Sequence, residues 1–254
     1  EIIGDDTLEP AFRAQALALP SETDIARELG GNTDPDAIHK ARNETIKAIA
    51  TAGLETLRRL AEGDADNAAY SPDAESAGRR SLRNGALSFL AFAEATPERA
   101  AKAYASAGNM TDLAYALSVL TQRFPDSAET QEALAAFEKR FADNALVLDK
   151  WFSLQAAIPG EGALERIKTL MKSKHFIATN PNRVRSLVGT LAFSNPTGFH
   201  RADGAAYRFL AEQIIAIDKR NPQLAARILT SMRSWRSLEP GRAEHAKAAF
   251  SSIA

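Results

Sequence analysis

Cysteine is absent from all 254 residues, so the chain can form no disulfide and offers no thiolate as nucleophile or metal ligand. That absence fits a cytoplasmic protein. No apolar run is long enough to span a membrane, and no signal-peptide pattern opens the chain. Aromatic residues make up only 7% of the sequence, and no stretch alternates apolar and polar residues as a half-buried strand would. The helical motif H-E-x-x-H, which sets two zinc-binding histidines one turn apart around a general-base glutamate, does not occur. His39, His175, His200 and His245 are far apart, without ligand spacing. There is likewise no G-x-S-x-G and no phosphate-cradling glycine loop. Glu161 and Glu165 are four apart and read as solvated helix surface. Composition and motifs alone describe a helical module without chemistry of its own.

What the sequence does hold is helix punctuation. Apolar residues recur at three- and four-residue intervals, broken by Pro, Gly and Asn, over about a dozen segments. Asp34-Pro35 opens a long helix that Gly63 closes, and residues 63–72 read as a polar loop. Residues 73–95 carry one apolar stripe of Leu82, Ala86, Phe89 and Ala93 and a second of Leu87, Leu90 and Phe92, which predicts a helix buried on two sides. Asn109 and Asn144 open further helices, and the second has Val147, Trp151, Leu154 and Ile158 on one stripe. Trp151, Phe152 and Trp235 are assigned to the core. The expected fold is all-α: paired antiparallel helices stacked in a row as a HEAT- or armadillo-like superhelical bowl, with no strict sequence period. We expect one helical domain over 1–254, cut from a longer chain because it begins at Glu1 without an initiator Met. Residues 1–9 would be a leader from a missing upstream domain.

Charge is uneven. Residues 1–160 carry 16 Lys+Arg against 25 Asp+Glu (−9), and residues 161–254 carry 15 against 7 (+8). The basic third can attract nucleic acid, an acidic protein face or peptide carboxylates. Its arginines are scattered over several helices, with no basic run and no aromatic platform, which argues against nucleic acid.

The most informative stretch runs from His175 to Gly204, together with RNPQLAAR at 220–227. Asn180-Pro181, Asn195-Pro196 and Asn221-Pro222 each offer an N-cap followed by a proline at the first helical position. Val184, Leu187, Val188 and Leu191 form a core stripe, with Arg183 and Arg185 on its opposite flanks. One arginine can face solvent and the other line a groove, or both can snorkel at the surface. Leu224, Ile228, Ser231, Met232 and Trp235 read as the inward stripe of a helix over 221–238. Gln223 and Arg227, four apart, share a face turned away from it.

Six words occur in order: RSLRNGALSFLAF at 80–92, GNMTD at 108–112, LVLDKWFSLQA at 146–156, NPNRVRSL at 180–187, SNPTGFHRADGAAY at 194–207 and RNPQLAAR at 220–227. Together they resemble the C-terminal helical domain of the bacterial aminopeptidase N family of zinc metallopeptidases. The resemblance runs from about ALALPSE at 16–22 to the end and is weakest at 63–72 and in the last helix. It implies a parent enzyme that removes N-terminal amino acids from peptides, with zinc and H-E-x-x-H in an upstream catalytic domain. This domain would close over that site, limit access and contribute cavity residues. The family pattern places Arg185, Gln223 and Arg227 at the cavity as substrate-binding residues. It implies no catalytic residue, metal or cofactor in this chain, so the chain alone is expected to be inactive. The partners it implies are the catalytic domain and peptide substrates, with neither nucleic acid nor membrane. The alternatives are a HEAT-like protein-interaction scaffold with no link to catalysis, or a purely structural domain.

Overall fold

The computed structural model describes residues 1–62 and 70–253. Most of the loop expected at 63–72, and the expected stop at Gly63, fall outside the described residues. The described elements are helices, and the expected all-α class is borne out. The extended backbone pairing among the described residues is one parallel bridge, Thr33 with Leu238. No helix among them is long and apolar enough to cross a membrane.

The chain divides into two compact units. The first comprises Glu1–Pro20 and Ala41–Phe137, the second Ser21–Lys40 and Glu138–Ala254. The first is organised around the helix Ala74–Ala93, which packs against Pro10–Gln15, Leu54–Glu62, Glu98–Ser106 and Met110–Arg123. Both of its predicted apolar sides are used: Leu82, Ala86, Leu87, Phe89 and Leu90 are all buried. Leu17, Ile46, Ala50, Leu57 and Leu60 complete that core. Burying each Leu, Ile or Phe side chain of this set contributes about 1.5–3 kcal/mol. Gly78 admits the backbone of the first helix, since a Cβ there would lie 2.8 Å from the Ala11 nitrogen. Residues 1–9 are tied down by Arg13, which donates to the Ile3 carbonyl at 2.7 and 3.0 Å and pairs with Asp6 at 2.8 Å. The helix expected to run on from Asp34 is interrupted at Gly53, giving Pro35–Ala52 and Leu54–Glu62.

The second unit contains the information-rich stretch. Helices Ala145–Ala156 and Ala163–Leu170 pack together. The next long helix lies against the first of these, and the short helix Pro196–Phe199 against the second. Ala205–Asp218 then packs on Pro222–Leu229 and on Pro240–Ser251. Each Asn-Pro start works as expected. Oδ1 of Asn180 accepts from the Asn182 and Arg183 amides, Asn195 from Gly198, and Asn221 from Leu224. Buried Arg242 ties the N-terminal part of this unit to its last helix. Its Nε donates to the His200 carbonyl at 2.6 Å, and it pairs with Asp34, Asp36 and Glu239. One boundary differs from expectation: the helix foreseen over 221–238 ends at Leu229 and continues as two 3-10 turns, Thr230–Met232 and Trp235–Ser237. Met232 is buried as expected, and Trp235 is only partly covered, its ring 6.3 Å from Phe250.

Candidate functional site

The segment from Pro181 to Ser194 is helical throughout, but not one regular helix. It is α over Pro181–Val184, π over Arg185–Gly189 and α again over Thr190–Ser194. Within it the Thr190 amide reaches back five residues to the Arg185 carbonyl. Val184, Leu187, Val188 and Leu191 are buried, as the stripe predicts.

The two arginines of this segment part company. Arg183 is 2% exposed, so the reading in which both snorkel at the surface is overturned. Its Nη1 pairs with Asp149 at 2.9 Å, its Nη2 donates to the Ala145 carbonyl at 3.3 Å, and its guanidinium lies 4.9 Å from the Phe152 ring. Phe152 is wholly buried and meets Trp151 and Phe176 edge-on. A charge taken out of water needs such partners. Arg183 stands four residues before Leu187 and Arg185 three before Val188, so spacing alone does not say which of the two is buried. Arg185 is exposed and donates from Nη1 to Asn182 Oδ1 at 2.9 Å, within its own turn.

Gln223 and Arg227 are both exposed on Pro222–Leu229, on the side away from buried Leu224, Ala225 and Ile228. The three expected site residues therefore lie in one unit and are all open to solvent. Arg185 stands on one helical segment, and Gln223 and Arg227 share another. The link between the two helices is packing of Thr190–Ser194 against Thr230–Met232, the turn that follows Arg227. Such exposed guanidinium and amide groups can take a carboxylate or backbone carbonyls, and a guanidinium can bind two oxygens at once.

The loop after Phe199 is held both by its own side chains and by neighbouring segments, the Arg201 guanidinium also donating to the Glu161 carbonyl. Arg201 forms a bidentate pair with Asp203, at 3.0 and 2.6 Å, which with the Ala205 amide holds that carboxyl well below the usual range. His200 Nδ1 lies 2.8 Å from the Tyr207 hydroxyl; burial, aided by the nearby Arg242 charge, pushes its pKa down to about 4. It is a neutral packing histidine. Among the described residues no three His, Asp or Glu side chains group so as to hold a metal ion. The donor set for zinc is not found among them.

All of residues 1–254 match DUF3458_C, described as a domain of unknown function with ARM repeats, and the chain belongs to that family. It is 40% identical over 239 residues to aminopeptidase N of Caulobacter vibrioides, covering 93% of this chain and 27% of the relative. To Escherichia coli aminopeptidase N it is 34% identical over 255 residues, covering 99% of this chain and 29% of the relative. The crystal structure of Legionella pneumophila aminopeptidase A in complex with aspartic acid matches with a TM-score of 0.86 at 27% identity, covering 99% of this chain and 30% of that one. The resemblance read from the six sequence words is borne out. The chain spans under a third of the length of these relatives.

Proposed function

We propose that this chain is the C-terminal helical domain of a zinc-dependent aminopeptidase that removes N-terminal amino acids from peptides. In this reading it closes over the active site of an upstream catalytic domain, controls access and lends the cavity Arg185, Gln223 and Arg227. The observation that carries the reading is the near-complete match of this chain to parts of two aminopeptidases N. The exposure of all three side chains supports their assignment, since a group that holds substrate must be reachable. The arginines would hold the carboxylate or carbonyls at the leaving end of the peptide, away from the scissile bond. The surplus of basic residues after position 160 would favour the approach of that end.

The chain is proposed to act in the cytoplasm and to hydrolyse nothing by itself. Zinc and the group that activates water belong to the catalytic domain. Hydrolysis by the purified chain would sink this division of labour. The direct test is kinetics of Arg185→Ala, Gln223→Ala and Arg227→Ala in the full-length polypeptide, comparing a tripeptide with an uncharged aminoacyl anilide. Loss of the ionic contact in either arginine variant should lower kcat/KM for the tripeptide by about tenfold and spare the anilide, with a smaller loss for Gln223→Ala. Equal behaviour of both substrates in every variant would mean that these side chains hold no substrate. A scaffold unconnected to catalysis would leave the kinetics of both substrates unchanged when the whole segment is deleted.

A further inference from the structure

The π-turn under Arg185 has a specific support. A π-turn inserts one residue into an α-helix, rotating the part before it by about 100° relative to the part after it and disturbing the carbonyl ladder. The disturbed groups need partners from outside the helix. Here Ser153 meets a carbonyl of the turn, and Asp149, four residues before it on the facing helix Ala145–Ala156, meets the side chains of Arg183 and Ser186.

Ser153 Oγ donates to the Ser186 carbonyl at 3.1 Å, inside the π-turn, and accepts from Thr190 Oγ1 at 3.3 Å, one residue beyond it. Asp149 Oδ1 pairs with Arg183 Nη1 at 2.9 Å and lies 3.3 Å from Ser186 Oγ, whose single proton is shared with the nearer Arg183 carbonyl at 2.9 Å. One side chain thus grips the helix before the turn and the other grips the turn itself. Arg185 lies between these anchored residues in sequence and is the exposed member of the group. Without the extra residue it would leave the helix in a different direction.

We propose that Asp149 and Ser153 are positioning residues that fix the π register of residues 185–189 and thereby aim Arg185, setting the preference for substrates with a free terminal carboxylate. This rests on the reading of Arg185 as a substrate contact. It assigns the two residues a task beyond packing.

The test uses the full-length polypeptide with Ser153→Ala, Ser153→Thr and Asp149→Asn, each alone and combined with Arg185→Ala, on the tripeptide and the anilide. Ser153→Ala should lower kcat/KM for the tripeptide roughly fivefold, chiefly through KM, and leave the anilide unchanged. Ser153→Thr keeps the hydroxyl and should restore the rate. In the Arg185→Ala background the Ser153→Ala loss should vanish, because the group being aimed is gone. A crystal structure of the Ser153→Ala variant should show residues 185–189 shifted towards α-helical bonding. Asp149→Asn should behave in the same way. If it fails to fold, the serine variants decide. An equal loss on both substrates, a loss that persists beside Arg185→Ala, or an intact π-turn in the alanine variant would overturn the proposal. If Arg185→Ala discriminates between substrates and Ser153→Ala does not, the aiming role alone falls. If Arg185→Ala itself does not discriminate, the substrate contact falls and takes the aiming role with it.

Discussion

The helix Ala74–Ala93 of the first unit runs for twenty residues in regular α form, whereas Pro181–Ser194 of the second changes to π after one turn. Both meet a carboxylate on a neighbouring helix. In the first unit Asp112 receives Arg83 Nη2 at 2.6 Å and Asn84 Nδ2 at 2.9 Å, and Asn109 as well. Burial opposes the charge on Asp112, but these donors hold its pKa below the usual range. All of those bonds go to side chains, and the helix backbone is left to pair with itself. In the second unit Ser153, one turn beyond Asp149, bonds a backbone carbonyl directly. In the first unit side-chain partners alone leave the helix regular. A polar neighbour that reaches the carbonyls can stabilise a different register.

The buried arginine gives the sharpest contrast. Arg183→Met leaves Asp149 without its cation in a largely closed site, and removing one partner of a buried pair costs about 3–5 kcal/mol. Arg83→Met removes a partner that is itself 29% exposed, while Asn84 and Asn109 still hold Asp112. We expect about 1 kcal/mol there. Urea denaturation of each variant measures both, and equal costs would erase the distinction between the two carboxylate sites.

Acid should also separate the units. All four histidines lie in the second unit, as do both tryptophans, Trp151 and Trp235. His200 titrates at about 4 in the fold against an ordinary 6.5. Between those values the unfolded chain binds the extra proton, so stability is full above about 6.5 and falls as pH drops towards 4. The shift corresponds to about 3 kcal/mol. Tryptophan fluorescence should therefore report a urea midpoint that falls across this window, and His200→Gln should flatten the slope. A slope unchanged in that variant would assign the acid sensitivity elsewhere.

Two glycines make a finer comparison. Ala is favoured over Gly in a helix by up to about 1 kcal/mol. At Gly78 the new methyl would lie 2.8 Å from the Ala11 nitrogen and 3.1 Å from its Cβ, so two backbones must separate. Gly78→Ala should destabilise by about 1–2 kcal/mol net. At Gly189, in the π-turn, the nearest atom outside the helix's own backbone is Arg185 Cβ at 3.7 Å, an ordinary contact. Gly189→Ala should be neutral or stabilising. Thermal denaturation of the two variants reads the sign directly, and a stabilised Gly78→Ala would mean that the first helix is free to move away.

Much of this was legible in the sequence. The two-sided burial of residues 82–90, the core stripe of Val184 to Leu191 and the exposure of Gln223 and Arg227 all come from helical spacing. The burial of Arg183 was only half legible: spacing puts both arginines beside the core stripe, and the carboxylate that receives Arg183 lies on another helix. The π-turn was not legible, because its cause lies outside the segment, on Asp149 and Ser153 of another helix. Periodicity describes which face a residue occupies, and it assumes the register that those two side chains alter. The end of the helix at Leu229 escaped for a related reason: Met232 is buried from a 3-10 turn, so the apolar spacing continues after the α-helix has stopped.

The three Asn-Pro starts carry the smallest predicted differences and test the same point. By sequence they are one device repeated, and each caps its helix. In place they differ. Asn195 is 2% exposed, and its Nδ2 donates to the Ala156 and Ile158 carbonyls at 2.9 and 2.7 Å. Replacing it with Ala removes a cap and also leaves two buried carbonyls without that donor. Asn221→Ala removes only a cap on a helix whose first turn is open to water, at about 1 kcal/mol. Asn180→Ala should behave like Asn221→Ala, and Asn195→Ala should cost about 1–2 kcal/mol more than either. Urea midpoints tracked through Trp151 and Trp235 would resolve that gap. Three equal losses would mean that the buried amide of Asn195 contributes nothing beyond its cap, and that the sequence-level equivalence of the three starts was the correct physical description.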